Sequence, residues 1–283
     1  MKVAVIGSSG GMGRFFARYF VSRRDDVTGW DPRAAAGGSQ PGLRSAASNG
    51  EAVQGAELVL VATPVDRTLE TVEEILPQLA PGACVIEISS VKGKVVGPLK
   101  RKLQSKGVKL LSLHPLFGPS LSEQKGMKIC VIETDGGSLS LARRLFPEAN
   151  LIPMDEEEHD RMMGLILSLT HVLNIAYAGT VSRYLSAGEF RRLETPTSSV
   201  QLTLAEGVLS QSPSLYSYIQ LENGFSSEFL GALIEELSSL KRLIDAKDRD
   251  GFEKRFSEIS KAFVGDSESA IGSVYQAFEK SNP

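Results

Sequence analysis

The chain opens with a five-residue apolar strand pattern, residues 2–6, that runs straight into Gly7-Ser8-Ser9-Gly10-Gly11-Met12-Gly13 and then into a helical pattern over 12–22. No other feature constrains the fold as strongly. Glycines between a strand and a helix let backbone approach a pyrophosphate closely, and the helix N-terminus supplies oriented N–H groups and a positive dipole end. The spacing is G-x-x-G-x-x-G and not the stricter G-x-G-x-x-G, so the turn alone also fits a tight connection without a ligand. Its context favours a dinucleotide. A second strand pattern, 27–30, ends at Asp31, 18 residues past Gly13, where a carboxylate can accept the ribose hydroxyls of NAD. Arg33 keeps NADP open, because a guanidinium can pair with the additional phosphate.

The first half continues the alternation. Strand patterns at 58–62, 83–88, 109–113, 128–133 and 150–152 are separated by helical patterns at 66–79, 94–105 and 139–146. Continuous apolar strands between helices imply a parallel sheet covered on both faces. From Asp155 onward strand patterns vanish, and apolar residues recur at helical spacing. Met162, Leu165, Ile166 and Leu169 trace one stripe; Phe229, Leu233, Leu237, Leu240 and Ile244 trace another. The expected fold is therefore α/β: a doubly wound, Rossmann-type parallel sheet domain over residues 1–153, followed by an all-α helical domain over 154–283. The Gly/Ser/Pro-rich stretch 36–42 reads as a loop inside the first domain.

Composition narrows the class. The 283 residues carry 31 Lys and Arg against 34 Asp and Glu, a formal charge of −3, so a nucleic-acid partner is not expected. No apolar run is expected to reach the length of about 20 residues that a membrane helix needs. The apolar start is too short for a signal peptide. Cys84 and Cys130 lie far apart in apolar segments, which points to a reduced, cytoplasmic protein. The three histidines, His114, His159 and His171, are scattered and give no metal motif.

In an open α/β sheet, ligands bind beyond the carboxyl ends of the strands. There the sequence places Thr63-Pro64, then Ser89-Ser90-Val91-Lys92-Gly93, then His114-Pro115-Leu116-Phe117-Gly118-Pro119. A histidine in that position can remove a hydroxyl proton while hydride leaves the same carbon for nicotinamide, and Ser90 can hydrogen-bond both imidazole and hydroxyl. The alternatives are a loop histidine that caps backbone, a helix-capping Ser90 and a solvated Lys92. His171, mid-helix, reads from spacing as a core or interface residue. His159, in Glu156-Glu157-Glu158-His159-Asp160, reads as part of a solvated or helix-start acidic cluster.

These segments resemble the prephenate dehydrogenases of tyrosine biosynthesis, in particular the compact archaeal type without a fused mutase. Ser89–Gly93 and His114–Pro119 are similar to that family's two active-site motifs. Glu158-His159-Asp160-Arg161-Met162-Met163-Gly164 and Leu169-Thr170-His171 are similar to its first long helix of the second domain; Pro196-Thr197, Gln211-Ser212-Pro213 and Leu215-Tyr216 extend the likeness over most of the chain. The resemblance implies oxidative decarboxylation of prephenate to 4-hydroxyphenylpyruvate with hydride transfer to NAD. His114 would be the base and Ser90 its helper. Gly7, Ser8, Ser9, Gly10, Gly11, Met12, Gly13, Asp31, Arg33, Thr63, Pro64 and Ser89 would line the cofactor. His171, Thr170 and Lys92 would contact the substrate. It also implies a homodimer through the helical domain, with the active site in the cleft between domains.

The chain departs from the family at one point. Many relatives carry an arginine shortly before the Gln-x-Pro segment, placed for a substrate carboxylate, and here the corresponding residues are Glu206-Gly207. Lys92, Arg183, Arg191 or Arg192 would have to supply that charge, since an unpaired buried carboxylate is costly. An amino-bearing substrate, arogenate or 4-amino-4-deoxyprephenate, is the alternative. A non-catalytic, dinucleotide-sensing dimer is the alternative outside enzymology.

Overall fold

The computed structural model describes residues 1–33, 40–121, 125–263 and 267–281, and by internal contacts the chain forms two units, Met1–Met163 and Gly164–Pro283. The first unit holds, among the described residues, an eight-stranded sheet: β1 (Lys2–Ile6), β2 (Asp26–Trp30), β3 (Leu43–Ser45), β4 (Leu58–Val61), β5 (Cys84–Glu87), β6 (Lys109–Pro115), β7 (Lys128–Ile132) and β8 (Asn150–Met154). The strand order is β3-β2-β1-β4-β5-β6-β7-β8. The order reverses between β1 and β4, and that point lies directly behind the glycine turn.

Apolar residues run continuously along the strands because both faces are buried. Val3, Val5, Leu58, Leu60 and Ile86 point into one core, and Ala4, Ile6, Val59, Val61 and Val85 into the other. Helix α1 (Gly11–Ser22) buries Phe15, Phe16, Tyr19 and Phe20, and Phe16 and Tyr19 meet the Phe146 ring. Among the remaining helices of this unit are α2 (Asn49–Ala52), α3 (Thr68–Ile75), α4 (Val96–Gln104), α5 (Ser138–Leu145) and α6 (Glu156–Met163). Strand β3 and helix α2 are too short to have left a periodic signal. The loop expected at 36–42 falls mostly on residues 36–39, which lie outside the described residues.

Two differences from the sequence expectation bear on the site. Strand β7 runs antiparallel to β6. A parallel return needs a covering crossover, usually a helix, and none is present among the described residues between Pro115 and Lys128. Strand β6 also extends to Pro115, which puts His114 inside the ladder, opposite Cys130.

The second unit begins with a π-helical segment, Gly164–Ser168, followed by α7 (Leu169–Val181), α8 (Ala187–Leu193), α9 (Pro196–Leu209), α10 (Pro213–Glu222), α11 (Ser226–Asp245), α12 (Arg249–Phe263) and α13 (Ser267–Ser281). Ser186 and Thr195 start α8 and α9 with reciprocal capping boxes, the latter followed by Pro196 at the first helical position. The π segment shifts the helical phase, which breaks the expected stripe: Leu165 and Ile166 are exposed in the single chain. Leu237 and Ile244 of the second stripe are exposed as well. The absence of any membrane-length apolar segment is also corrected. The helical run Glu156–Val181 is long and apolar enough, by length and composition, to cross a membrane.

Candidate active site

At the sheet's carboxyl edge, Gly7 takes φ +84°, a conformation that L side chains rarely adopt. A Cβ at Gly13 would collide with the Gly7 backbone, so only glycine lets α1 close onto the turn. The N-cap, Gly10, makes no side-chain cap, and the first turn of α1 carries no acid. Its N–H groups and dipole end thus face no protein anion from the helix itself, the arrangement that suits a pyrophosphate. Thr63 Oγ1, just past β4, is buried without a hydrogen-bond partner. Together these features fit a dinucleotide.

The other expected cofactor residues take varied positions. Asp31 is buried; its Oδ2 accepts from the Ser9 N–H at 3.1 Å, and its Oδ1 from the Arg33 N–H at 2.8 Å and Nε at 3.3 Å. Burial alone would raise its pKa, but the bonds from Arg33 and Ser9 outweigh burial and hold the carboxyl below its ordinary value. Ser8 is buried, Pro64 is exposed, and Met12 packs on the aromatic core. Ser89 turns inward: its N–H donates to Glu87 Oε2 at 2.8 Å and its hydroxyl reaches the Val91 carbonyl at 3.1 Å. Gly11 sits beneath Pro119, and Phe117 packs 5.1 Å from Phe15, so the loop after β6 lies on the start of α1.

His114 lies near the carboxyl end of β6. It retains 5% of its surface, and its Nδ1 lies 2.9 Å from His159 Nε2. His159 Nδ1 lies 2.8 Å from Asp160 Oδ1. Asp160 in turn accepts the N–H groups of Lys92 and Gly93, each at 2.8 Å. The acidic cluster does open a helix, α6, with Glu156, Glu157 and Glu158 in its first turn, but a solvated His159 is corrected. Helix α6 turns His159 inward until it is fully buried, while Glu157 and Glu158 stay exposed and Glu156 is half-buried. Burial first, then the neighbouring His159 and Lys92, pushes His114 well below the ordinary histidine value. Burial also lowers His159, against the opposing pull of its bond to Asp160.

Lys92 is corrected too. Its side chain is wholly buried, and Nζ donates to Glu87 Oε1 and to the Leu113 carbonyl, each at 2.7 Å. Glu87 also accepts the hydroxyl of Ser112, its register partner on β6. The ammonium is committed inside the sheet unit, not to a ligand. Ser90 is half-buried and makes no hydrogen bond to His114; the imidazole's Nδ1 is taken by His159. Reading the sequence missed Glu87, Ser112, His159 and Asp160. The available signal was Glu87, a charge at the end of a fully buried apolar strand.

In the second unit His171 is half-buried, its ring 4.4 Å from that of Tyr216 at 76°. Its Nδ1 is buried without a partner, and burial lowers its pKa. Thr170 is exposed and spends its hydroxyl on the Ile166 carbonyl at 2.7 Å. Arg191 pairs with Glu206 at 2.5 Å, while Arg183 and Arg192 are exposed.

The nucleotide-binding domain of prephenate dehydrogenase matches residues 18–131, and the dimerization domain of prephenate dehydrogenase matches 155–258. A protein of Methanocaldococcus jannaschii named "Probable arogenate/prephenate dehydrogenase" is 26% identical over 285 residues, which cover 97% of this chain but 63% of that protein's length. A 4-amino-4-deoxyprephenate dehydrogenase of Streptomyces pristinaespiralis is 26% identical over 269 residues, covering 91% of this chain and 90% of that one. The fold is similar to that of Aquifex aeolicus prephenate dehydrogenase, solved with hydroxyphenyl propionate and NAD+, with a TM-score of 0.76 and 21% identity over 93% of this chain and 96% of that one. Matched in both halves and in chain order, the chain belongs to the prephenate dehydrogenase family.

Proposed function

We propose that the chain is an NAD-dependent dehydrogenase that oxidatively decarboxylates prephenate to 4-hydroxyphenylpyruvate in tyrosine biosynthesis. The observation that carries this reading is His114: a buried imidazole at the carboxyl end of β6, with Nδ1 engaged and its pKa depressed, in a sheet whose glycine turn fits a dinucleotide. A neutral imidazole at working pH is the form a general base requires. NAD, when bound, supplies the hydride acceptor. The first-turn N–H groups of α1, the Asp31 carboxylate and Thr63 Oγ1 would hold it. His114 accepts the ring-hydroxyl proton at Nε2, Ser90 orients that hydroxyl, and His171 contacts the substrate. Loss of the ring carboxylate as carbon dioxide leaves an aromatic ring, which drives the reaction forward.

The experiment is a steady-state assay of NADH formation with prephenate, arogenate and 4-amino-4-deoxyprephenate, repeated with NADP. The reading expects prephenate with NAD to give the highest kcat/KM, and His114→Asn to abolish turnover while cofactor binding persists. Binding of NAD without turnover of any of the three would overturn it in favour of a dinucleotide sensor. Glu206 and the similarity to an amino-substrate enzyme support a second reading, in which an amino-bearing ring is preferred; faster turnover of either amino substrate would establish that one.

The active form in this proposal is a homodimer through the helical unit. Leu204, Leu209, Leu221, Phe256 and Ile244 are more than half exposed in the single chain, which supports a partner surface on this unit. Two buried free thiols, Cys84 and Cys130, suit a reducing compartment such as the cytoplasm.

A further inference from the structure

His159 and Asp160 form a chain with His114 that neither the strand-end motifs nor the proposed reaction requires. Its geometry is restrictive. An ionised carboxylate only accepts hydrogen bonds, so Asp160 Oδ1, 2.8 Å away, takes the proton on His159 Nδ1. Asp160 is held ionised: burial would raise its pKa, but the bonds from His159, Gly93 and Lys92 outweigh burial and lower it. Neutral His159 then presents a lone pair at Nε2. Across 2.9 Å, His114 Nδ1 must donate to it. The second nitrogen of His114, Nε2, is left unprotonated, the state in which it can accept a proton.

We propose that His159 and Asp160 are positioning residues for the base, locking His114 as its Nδ1–H tautomer and receiving the Nδ1 proton when Nε2 takes the substrate hydroxyl proton. The inference rests on the proposed dehydrogenase reading. The step balances as two proton transfers. The substrate O–H breaks as N–H forms at His114 Nε2, and the Nδ1–H of His114 breaks as N–H forms at His159 Nε2. His114 stays neutral with its tautomer exchanged, and the positive charge rests on His159 against Asp160. Gly93 makes room for the carboxylate, since a Cβ there would stand 3.2 Å from Asp160 Oδ2. The charged and titratable groups around the pair are Lys92 and Glu87 beside β5, Cys130 on β7, and Glu156 and Asp160 on α6. Lys92 disfavours an imidazolium here and Asp160 favours one, so Asp160 decides where the accepted proton ends.

Two measurements test this. The first uses the unmutated, ligand-free protein labelled with 15N-histidine; only three histidines contribute, and His171→Gln identifies the third. Nδ1 should be protonated and Nε2 bare on both His114 and His159 at pH 7.5. A proton on His114 Nε2 overturns the proposal without reference to any substrate. The second compares His159→Gln and Asp160→Asn with the unmutated enzyme on whichever substrate turns over. His159→Gln should lower kcat by about 100-fold with KM within about twofold, since general-base assistance lies in that range. Asp160→Asn should move the acid limb of kcat/KM down by about one pH unit, because the imidazolium loses its counter-charge. A structural role alone would lower the melting temperature and leave that limb in place, and this result overturns the inference. Failure of the unmutated enzyme to turn over would refute the dehydrogenase reading instead, and the histidine spectra would still decide the tautomer.

Discussion

Replacing Lys92 by methionine separates a lysine that binds ligand from one that holds the sheet together. The side chain is fully buried, and its ammonium bridges Glu87 Oε1 and the Leu113 carbonyl at 2.7 Å each. Lys92→Met leaves the Glu87 carboxylate with neutral donors only, Ser112 and Ser89, and orphans the Leu113 carbonyl. Breaking a buried pair from one side costs about 3–5 kcal/mol. For a unit of this size each kcal/mol lowers the melting temperature by about 2–4 °C, so a fall of about 6–20 °C is expected. The double change Glu87→Gln/Lys92→Met removes both charges and keeps a carbonyl for one serine. It should recover most of the loss, ending about 1–2 kcal/mol below the unmutated protein, the cost of one imperfectly satisfied hydrogen bond. Thermal and urea unfolding of these three proteins and of Glu87→Gln alone, followed by circular dichroism, completes the cycle. A Lys92→Met melting temperature within about 2 °C of the unmutated protein, together with a raised KM, would refute the reasoning and return Lys92 to the ligand.

The depressed histidines make stability fall on the acid side. The folded pKa values of His114 and His159 lie below the unfolded value of about 6.5. As pH drops below that value the unfolded chain binds protons first, and unfolding free energy should fall by up to about 1.4 kcal/mol per pH unit for each histidine, until the folded groups titrate. Asp160, also depressed, contributes stability above the ordinary carboxylate range that is lost only at lower pH; a flat urea midpoint between pH 7 and 5 would contradict this. Gly13→Ala drives a methyl into the Gly7 backbone and should cost about 1–3 kcal/mol as overpacking, with weakened NAD binding in a fluorescence titration; unchanged binding would remove α1 from the cofactor site. Burial pushes the Cys84 thiol up to about 12 and raises Cys130 as well, so a thiol reagent at pH 8 should label neither in the native protein and both in urea; rapid native labelling would show that the sheet opens.

Much of the first unit was legible because its determinants are local. The apolar runs of β1, β4 and β5, the glycines before α1 and the Asp31 that ends β2 each act on neighbours within one strand–turn–helix step, so residue order alone predicts a sheet with a dinucleotide turn. The strand-end position of His114 followed from the same logic, and the motif likeness supplied a chemistry. Tertiary packing decided the rest. Whether His159 faces solvent or His114 depends on how α6 lies beside β6 and β7, and its charged neighbours Glu157 and Glu158 signal only the opposite, outer face. Lys92 follows a turn of serines and reads as a reaching cation until Glu87 and the Leu113 carbonyl, on two adjacent strands, are brought to its ammonium. The direction of β7 hung on the missing crossover, and the stripe in the second unit on one π-helical phase shift. A sequence declares hydrogen-bonding capacity residue by residue, but this buried proton network needs donors and acceptors from three distant segments, 87–93, 112–114 and 159–160, within about 3 Å of each other, and only the folded chain sets those distances.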